Sequence, residues 1–168
     1  MGLVYEFNAA RRIRQSFDPH DSPALDKLCL QIQEAEQALI LASRPFLNRC
    51  IQGCHGLCCR NACLDEIIGM EDFLYILCLM PDLDAEIEKR LKHVSCLFTA
   101  DCIFLENGRG PCIFPSAIRP EVCITSFCME TPAASRQIGA VKWGFQKLAW
   151  FVRMRRARVL FKYIQNLV

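Results

Sequence analysis

Apolar residues recur at the spacing of one helix face through Leu25, Leu28, Ile32, Ala35 and Leu39, which predicts a helix because 3.6 residues complete a turn. Ser22 can cap it, its hydroxyl accepting from the open N–H groups of the first turn, and Pro23 fits the first position, where no N–H is needed. Pro45 drives the residue before it toward extended backbone, so the helix is expected to end near Ser43. A second helix is expected over "MEDFLYILCLM", closed by Pro81. A third follows over "LDAEIEKRLKHV", which Asp82 can cap and whose acids lie early and whose bases lie late, as the helix dipole favours. In "DCIFLENGRGPCIFP" the pattern changes, and two short β-prone pieces flank Asn107, Gly108 and Gly110, residues that tolerate positive φ. A hairpin there would set Cys102 and Cys112 nearly opposite each other. Thr131 and Pro132 can start a long C-terminal helix. The expected fold class is mainly α: a small single domain with irregular cysteine-rich loops, a short β-hairpin near 102–114 and a long C-terminal helix.

On that last helix Val141, Phe145, Leu148, Val152, Val159 and Tyr163 share one face, and Trp143, Trp150, Met154 and Phe161 fall nearly opposite. The first stripe is expected to pack on the rest of the chain, while the second needs another surface, from this chain or a partner. From Thr131 to Val168 there is no acidic residue and there are eight basic ones, which leaves residues 1–130 with twelve basic and eighteen acidic residues, a net −6. The chain therefore divides into a cysteine-bearing unit, 1–130, and a basic amphipathic helix, 131–168, that is either part of the same domain or a partner-binding extension. Its cations suit a protein partner or an anionic surface and, on less support, nucleic acid. The plainer reading is a core helix with solvated Lys and Arg.

With 168 residues, 52% of them hydrophobic, the chain can bury one core without covalent staples. No stretch approaches the roughly 18 to 20 apolar residues of a membrane span, and the first residues carry no apolar signal segment. A cytoplasmic, reducing location is the expectation, in which twelve cysteines hold metal as thiolates rather than pairing as disulfides.

Nine of those cysteines fall into two clusters, Cys50, Cys54, Cys58, Cys59 and Cys63 in the first and Cys102, Cys112, Cys123 and Cys128 in the second. Thiolate sites draw their ligands from short loops of separated segments, and Gly53 and Gly56 allow the first loop to curl tightly. Adjacent cysteines normally point different ways, so Cys58 and Cys59 are expected either to serve two centres or to include one that stands behind the ligands. Eight thiols suit two iron–sulfur clusters or two zinc ions equally well. Cys29 and Cys78, inside apolar helical stretches, read as small buried hydrophobes. Cys96 is ambiguous, and His55 reads as an exposed loop residue. Arg119, before a cysteine pair, either donates to thiolates or pins its loop.

The run "CIQGCHGLCC", followed by "CIFLENGRGPCIFPSAIRPEVCITSFC", resembles the zinc- or iron-chelating cysteine-cluster family, the YkgJ-type or CxxCxxCC proteins of bacteria. The resemblance covers about residues 50–128, with Arg119-Pro120 and the Cys123-x4-Cys128 pair matching closely. It implies a metal set of Cys50, Cys54, Cys58, Cys59, Cys102, Cys112, Cys123 and Cys128. Both gaps of the first motif and the Cys112-to-Cys123 gap are one residue longer than the family pattern. Phe114 stands for the usual tyrosine and Ile124 for the usual arginine. Cys63 is a further thiol that can substitute in the first set.

Three functions follow as expectations. The first is a metal-binding protein holding an iron–sulfur cluster, preferred, or zinc or iron ions, in a redox or structural role. The second is a zinc-stabilised binding module that uses the basic aromatic helix. The third is an iron–sulfur oxidoreductase or an enzyme's accessory subunit, although no Ser-His-Asp set, paired-acid motif or phosphate loop is present.

Overall fold

The structure is a computed structural model that describes residues 2–18, 21–53, 64–92, 102–108, 111–127 and 131–165. Helix α1 (Gly2–Ser16) leads through a turn, in which the Asp18 carboxylate accepts from the Asp21 N–H at 2.9 Å, into α2 (Ser22–Gly53). Helices α3 (Leu64–Ile67) and α4 (Met70–Leu79) follow, then a 3-10 turn at Pro81–Leu83 and α5 (Asp84–Leu91). A second 3-10 turn at Glu106–Gly108, the short α6 (Glu121–Thr125) and a third at Pro132–Ala134 precede the long α7 (Ser135–Gln165).

Helix α4 is the centre of the core, and its sequence says why. Met70, Phe73, Leu74, Tyr75, Ile76 and Leu77 are all buried, the composition of a helix covered on every side. Against it α1 packs Leu3, Phe7, Ala10 and Ile13, with the Phe7 and Phe73 rings edge to face at 5.4 Å. Helix α2 supplies Leu25, Cys29, Ile32 and Leu39, and α7 supplies Val141, Phe145, Leu148 and Val152. Tyr75 meets Phe145 edge to face at 5.2 Å. These side chains form one continuous cluster, so α7 belongs to the same compact domain as α1, α2 and α4. Where α7 crosses α2 a side chain has no room: a Cβ on Gly144 would stand 2.8 Å from Ile32 Cγ1. Glycine there lets the two helices approach closely.

The described side chains of α7 divide as its periodicity predicts, with Val141, Phe145, Leu148 and Val152 buried and Trp143, Trp150 and Met154 exposed. Other elements differ from the sequence reading. Helix α1 was not predicted. Helix α2 does not end near Ser43 but continues through Pro45 to Gly53. Pro45 and Leu41, whose carbonyl loses its helical partner, are both exposed, so that carbonyl need not be buried unpaired. Asp82 caps nothing. Pro81, with its φ preset, starts a 3-10 turn that contains Asp82, and α5 begins after Leu83 with no side-chain cap. No helix among the described residues is long and apolar enough to cross a membrane.

Candidate metal centre

The segment carrying Cys102 and Cys112 contains no β-hairpin. Among the described residues there is no strand, only one antiparallel bridge, between Leu105 and Cys112. Its bonds run from the Ile113 N–H to the Phe104 carbonyl at 2.9 Å and from the Glu106 N–H to the Pro111 carbonyl at 3.1 Å. The turn chemistry is as expected, since Asn107 takes positive φ, at 53°, but the pairing is not: Cys112 faces Leu105 rather than Cys102. The reason lies in competing partners. Cys102 closes its own turn by accepting from the Leu105 N–H at 3.1 Å. Nη1 of Arg90 donates to the carbonyls of Ile103 and Leu105, at 3.0 and 2.9 Å, and holds this limb by the edge that faces away from the bridge. Glu86 holds that guanidinium from one helical turn away, Nε to Oε1 at 2.7 Å. Phe104 and Phe114 are buried with their rings 4.8 Å apart, which fastens both limbs of the turn to the core. Cys102 is buried and Cys112 half-buried.

The segment carrying Cys123 is pinned by two acids that the sequence reading did not single out. Glu36 of α2 has no exposed surface, and its Oε2 accepts from the Arg119 N–H at 3.2 Å. Asp72 of α4, also buried, accepts from the Glu121 N–H at 2.7 Å and from the Gly69 N–H at 2.8 Å. One carboxylate thereby opens both α4 and α6. The Tyr75 hydroxyl donates to the Ala117 carbonyl at 3.4 Å. Helix α6 then presents Cys123 to solvent, with its own N–H bonded to the Pro120 carbonyl at 3.0 Å. The Arg119-Pro120 pair thus acts through backbone, because Glu36 holds the loop at Arg119 while the Arg119 Nε is buried without a partner.

Burial governs the titration of both acids. It pushes Glu36 up to about 8, against the pull of the Arg119 N–H and the nearby Tyr75 hydroxyl. Asp72 rises to about 6 by burial, against the two N–H groups it accepts. Removing a carboxylate from water penalises its charged form, and here the hydrogen bonds offset only part of that penalty. A signal for Glu36 was present in the sequence: it falls between Ile32 and Leu39 on the apolar stripe of α2.

Of the expected ligand set, Cys102, Cys112 and Cys123 lie on these two pinned segments. Cys50 is in the last turn of α2, and only its backbone is described. Cys54, Cys58, Cys59 and Cys128 lie outside the described residues, as do Cys63, Cys96 and His55. Among the described residues no group of three His, Cys, Asp or Glu side chains is placed to hold a metal ion.

The basic helix α7 offers a second surface. Trp143 and Trp150 are 58% and 66% exposed, and Lys147 lies 5.6 Å from the Trp143 ring centre between them. With Leu28, Phe151 and Met154 they line a groove of about 730 Å³ between α7 and α2. Not every cation is available. Arg155 stacks on Phe17 at 4.1 Å, pairs with Asp21 at 3.2 Å and donates to the Ser16 hydroxyl at 3.0 Å and to the Ser16 carbonyl, tying α7 to the α1–α2 turn. Comparison of the chain with protein-family models, with curated proteins and with solved structures finds no match.

Proposed function

We propose that this protein is a metal-binding cysteine-cluster protein that holds an iron–sulfur cluster, or zinc or iron ions, through thiolates of two segments. One segment supplies Cys50, Cys54, Cys58 and Cys59, the other Cys102, Cys112, Cys123 and Cys128. The observation that carries the reading is the polar anchoring of the second segment. Between residues 102 and 123 the backbone is held by Arg90, Tyr75, Glu36 and Asp72 from three helices. Such support fixes the positions of the side chains that the segment displays, as a ligand-bearing loop requires. The buried, unpartnered Nε of Arg119, four residues before Cys123, is a donor suited to the negative charge that thiolate ligands accumulate. When bound, the metal supplies cross-linking of the two segments and, if it is iron–sulfur, one-electron redox chemistry.

The test is purification without oxygen, followed by a visible spectrum and metal analysis. A brown product absorbing near about 400 nm, a charge-transfer band of iron–sulfur ligation, supports a cluster, and a colourless zinc-loaded product supports the ion form. Protein that carries neither, even after reconstitution with iron and sulfide or with zinc, overturns the proposal. A second reading, a zinc-stabilised module that binds a partner through α7, is favoured by the exposed Trp143 and Trp150 beside Lys147.

A further inference from the structure

Cys29 and Cys78 belong to neither cluster, and in sequence each reads as a buried hydrophobe. The fold puts them together. Cys29 lies on α2 with no exposed surface, Cys78 is half-buried near the end of α4, and the two thiols are neighbours across the packed helix pair, each the largest influence on the other's titration. A second contact fixes the same register: Tyr75, one turn earlier on α4, lies beside Glu36, two turns later on α2. The two contacts run in opposite directions along their helices, so α2 and α4 are antiparallel here and the sulfurs meet on the seam between them.

The two thiols are not equivalent. The neighbouring Cys29 thiol, together with the charge of Arg14, favours the thiolate of Cys78 and holds its titration below the ordinary cysteine value, against burial and Asp26. Cys29 is pushed well up, by the neighbouring Cys78 and by burial. Cys78 is therefore the nucleophile that solvent can reach, and Cys29 is the buried partner behind it.

We propose that Cys29 and Cys78 are a thiol–disulfide switch, in which a small-molecule disulfide such as oxidised glutathione converts the neighbouring thiols into a covalent tie between α2 and α4. The Cys78 sulfur attacks one sulfur of the small disulfide, whose S–S bond breaks and whose other half leaves as a thiolate. Cys29 then loses its proton and its sulfur attacks the Cys78 sulfur, expelling the second small thiolate. Two protein S–H bonds are exchanged for one S–S bond, and two small thiols carry away the protons. The protein is oxidised by two electrons and the oxidant is reduced by two. None of the cysteines assigned to the metal takes part, so the switch stands apart from the proposed function.

The experiment exposes the purified protein to increasing oxidised glutathione, blocks the remaining thiols with N-ethylmaleimide and maps the digested peptides by mass spectrometry. The expected result is a linked Cys29–Cys78 peptide that dithiothreitol removes. The linked protein should also unfold at a higher midpoint, because a closed loop of about 50 residues restricts the unfolded chain. Cys29→Ala should halt the reaction at a glutathione adduct on Cys78, and Cys78→Ala should leave Cys29 unmodified. A wild-type adduct on Cys78 that never advances to the link, Cys29 joined to a different cysteine, or both residues recovered as maleimide adducts overturns the proposal. The wild-type map decides the question even if a variant fails to fold.

Discussion

Replacing Glu36 with Gln should make the protein more stable at neutral and alkaline pH and leave it nearly unchanged in acid. The side chain is fully buried, its titration moves from 4.5 when exposed to about 8 in the fold, and burial is the largest cause. A carboxyl raised in this way favours folding below its unfolded value, and that contribution is lost as pH rises toward the folded one. From pH 4.5 to about 8 the unfolded chain releases a proton that the folded chain keeps. At about 1.36 kcal/mol per unit, the shift of 3.5 units corresponds to about 5 kcal/mol, a large part of the roughly 5 to 15 kcal/mol by which a domain is stable. Glutamine keeps an acceptor for the Arg119 N–H and never ionises.

The assay is urea unfolding of the two proteins side by side between pH 4 and 9, so that titrations common to both cancel in the difference. Asp72 is one of these, with its own loss of stability expected between 3.8 and about 6. The Gln variant should match the wild type near pH 4, gain steadily, and level off above pH 8. A difference that stays flat with pH, or a wild type that is the more stable at pH 9, would refute the reasoning. Either result would mean that the guanidinium of Arg119, whose attraction opposes burial, keeps Glu36 ionised.

Gly144 and Gly139 sit on the same helix and should respond oppositely to alanine. Gly139→Ala, with nothing within 4 Å of the new methyl, should stabilise by about 0.5 to 1 kcal/mol in thermal unfolding, whereas Gly144→Ala should destabilise by about 1 kcal/mol or more, because overpacking against Ile32 outweighs that gain. Arg90→Ala removes two bonds from a largely buried guanidinium to the carbonyls of Ile103 and Leu105; it should cost about 2 to 3 kcal/mol and lower metal content, measured by elemental analysis. Cys123→Ser should reduce metal content and stability together, whereas Cys78→Ser should leave metal stoichiometry unchanged. Trp150→Ser, at a side chain that is 66% exposed, should leave the unfolding midpoint within about 0.5 kcal/mol of wild type, and a larger loss would mean that this face is covered within the chain.

The sequence was most legible where one periodic stripe decides an element. The buried and exposed faces of α7 follow from side-chain spacing alone, because a helix this long offers two clear stripes and the core takes one. Local rules failed where a tertiary contact outbid them. Pro45 should end α2, yet the helix, packed along α4 and α7, continues with Pro45 and Leu41 on its exposed side. The turn at Asn107 was legible because left-handed backbone has a residue signature. The absent strands were not, because the turn that the Cys102 carbonyl closes with the Leu105 N–H takes that limb out of extended backbone. Helix α1 had its own signal in Leu3, Phe7, Ala10 and Ile13, and Arg11 between them completes it by pairing with Asp84 at 2.8 Å and Glu88 at 3.1 Å on α5.

The candidate site divides along the same line. Cysteine clustering nominates the residues of the candidate site, but what holds their segments was not readable, because each anchor is remote in sequence. Glu36 and Arg119 are 83 positions apart, and Asp72 and Glu121 are 49 apart. What the sequence does offer is an anomaly: an acid at an apolar position of a stripe otherwise suited to the core. Such a residue is costly to bury unless it is hydrogen-bonded or protonated, and Glu36 is both, by the Arg119 N–H and by a titration raised to about 8. A carboxyl within an apolar stripe therefore points to a distant backbone segment whose position it fixes. In this chain that segment is the one that displays Cys123, and the pH dependence of the Gln variant tests the fold and the site at the same atom.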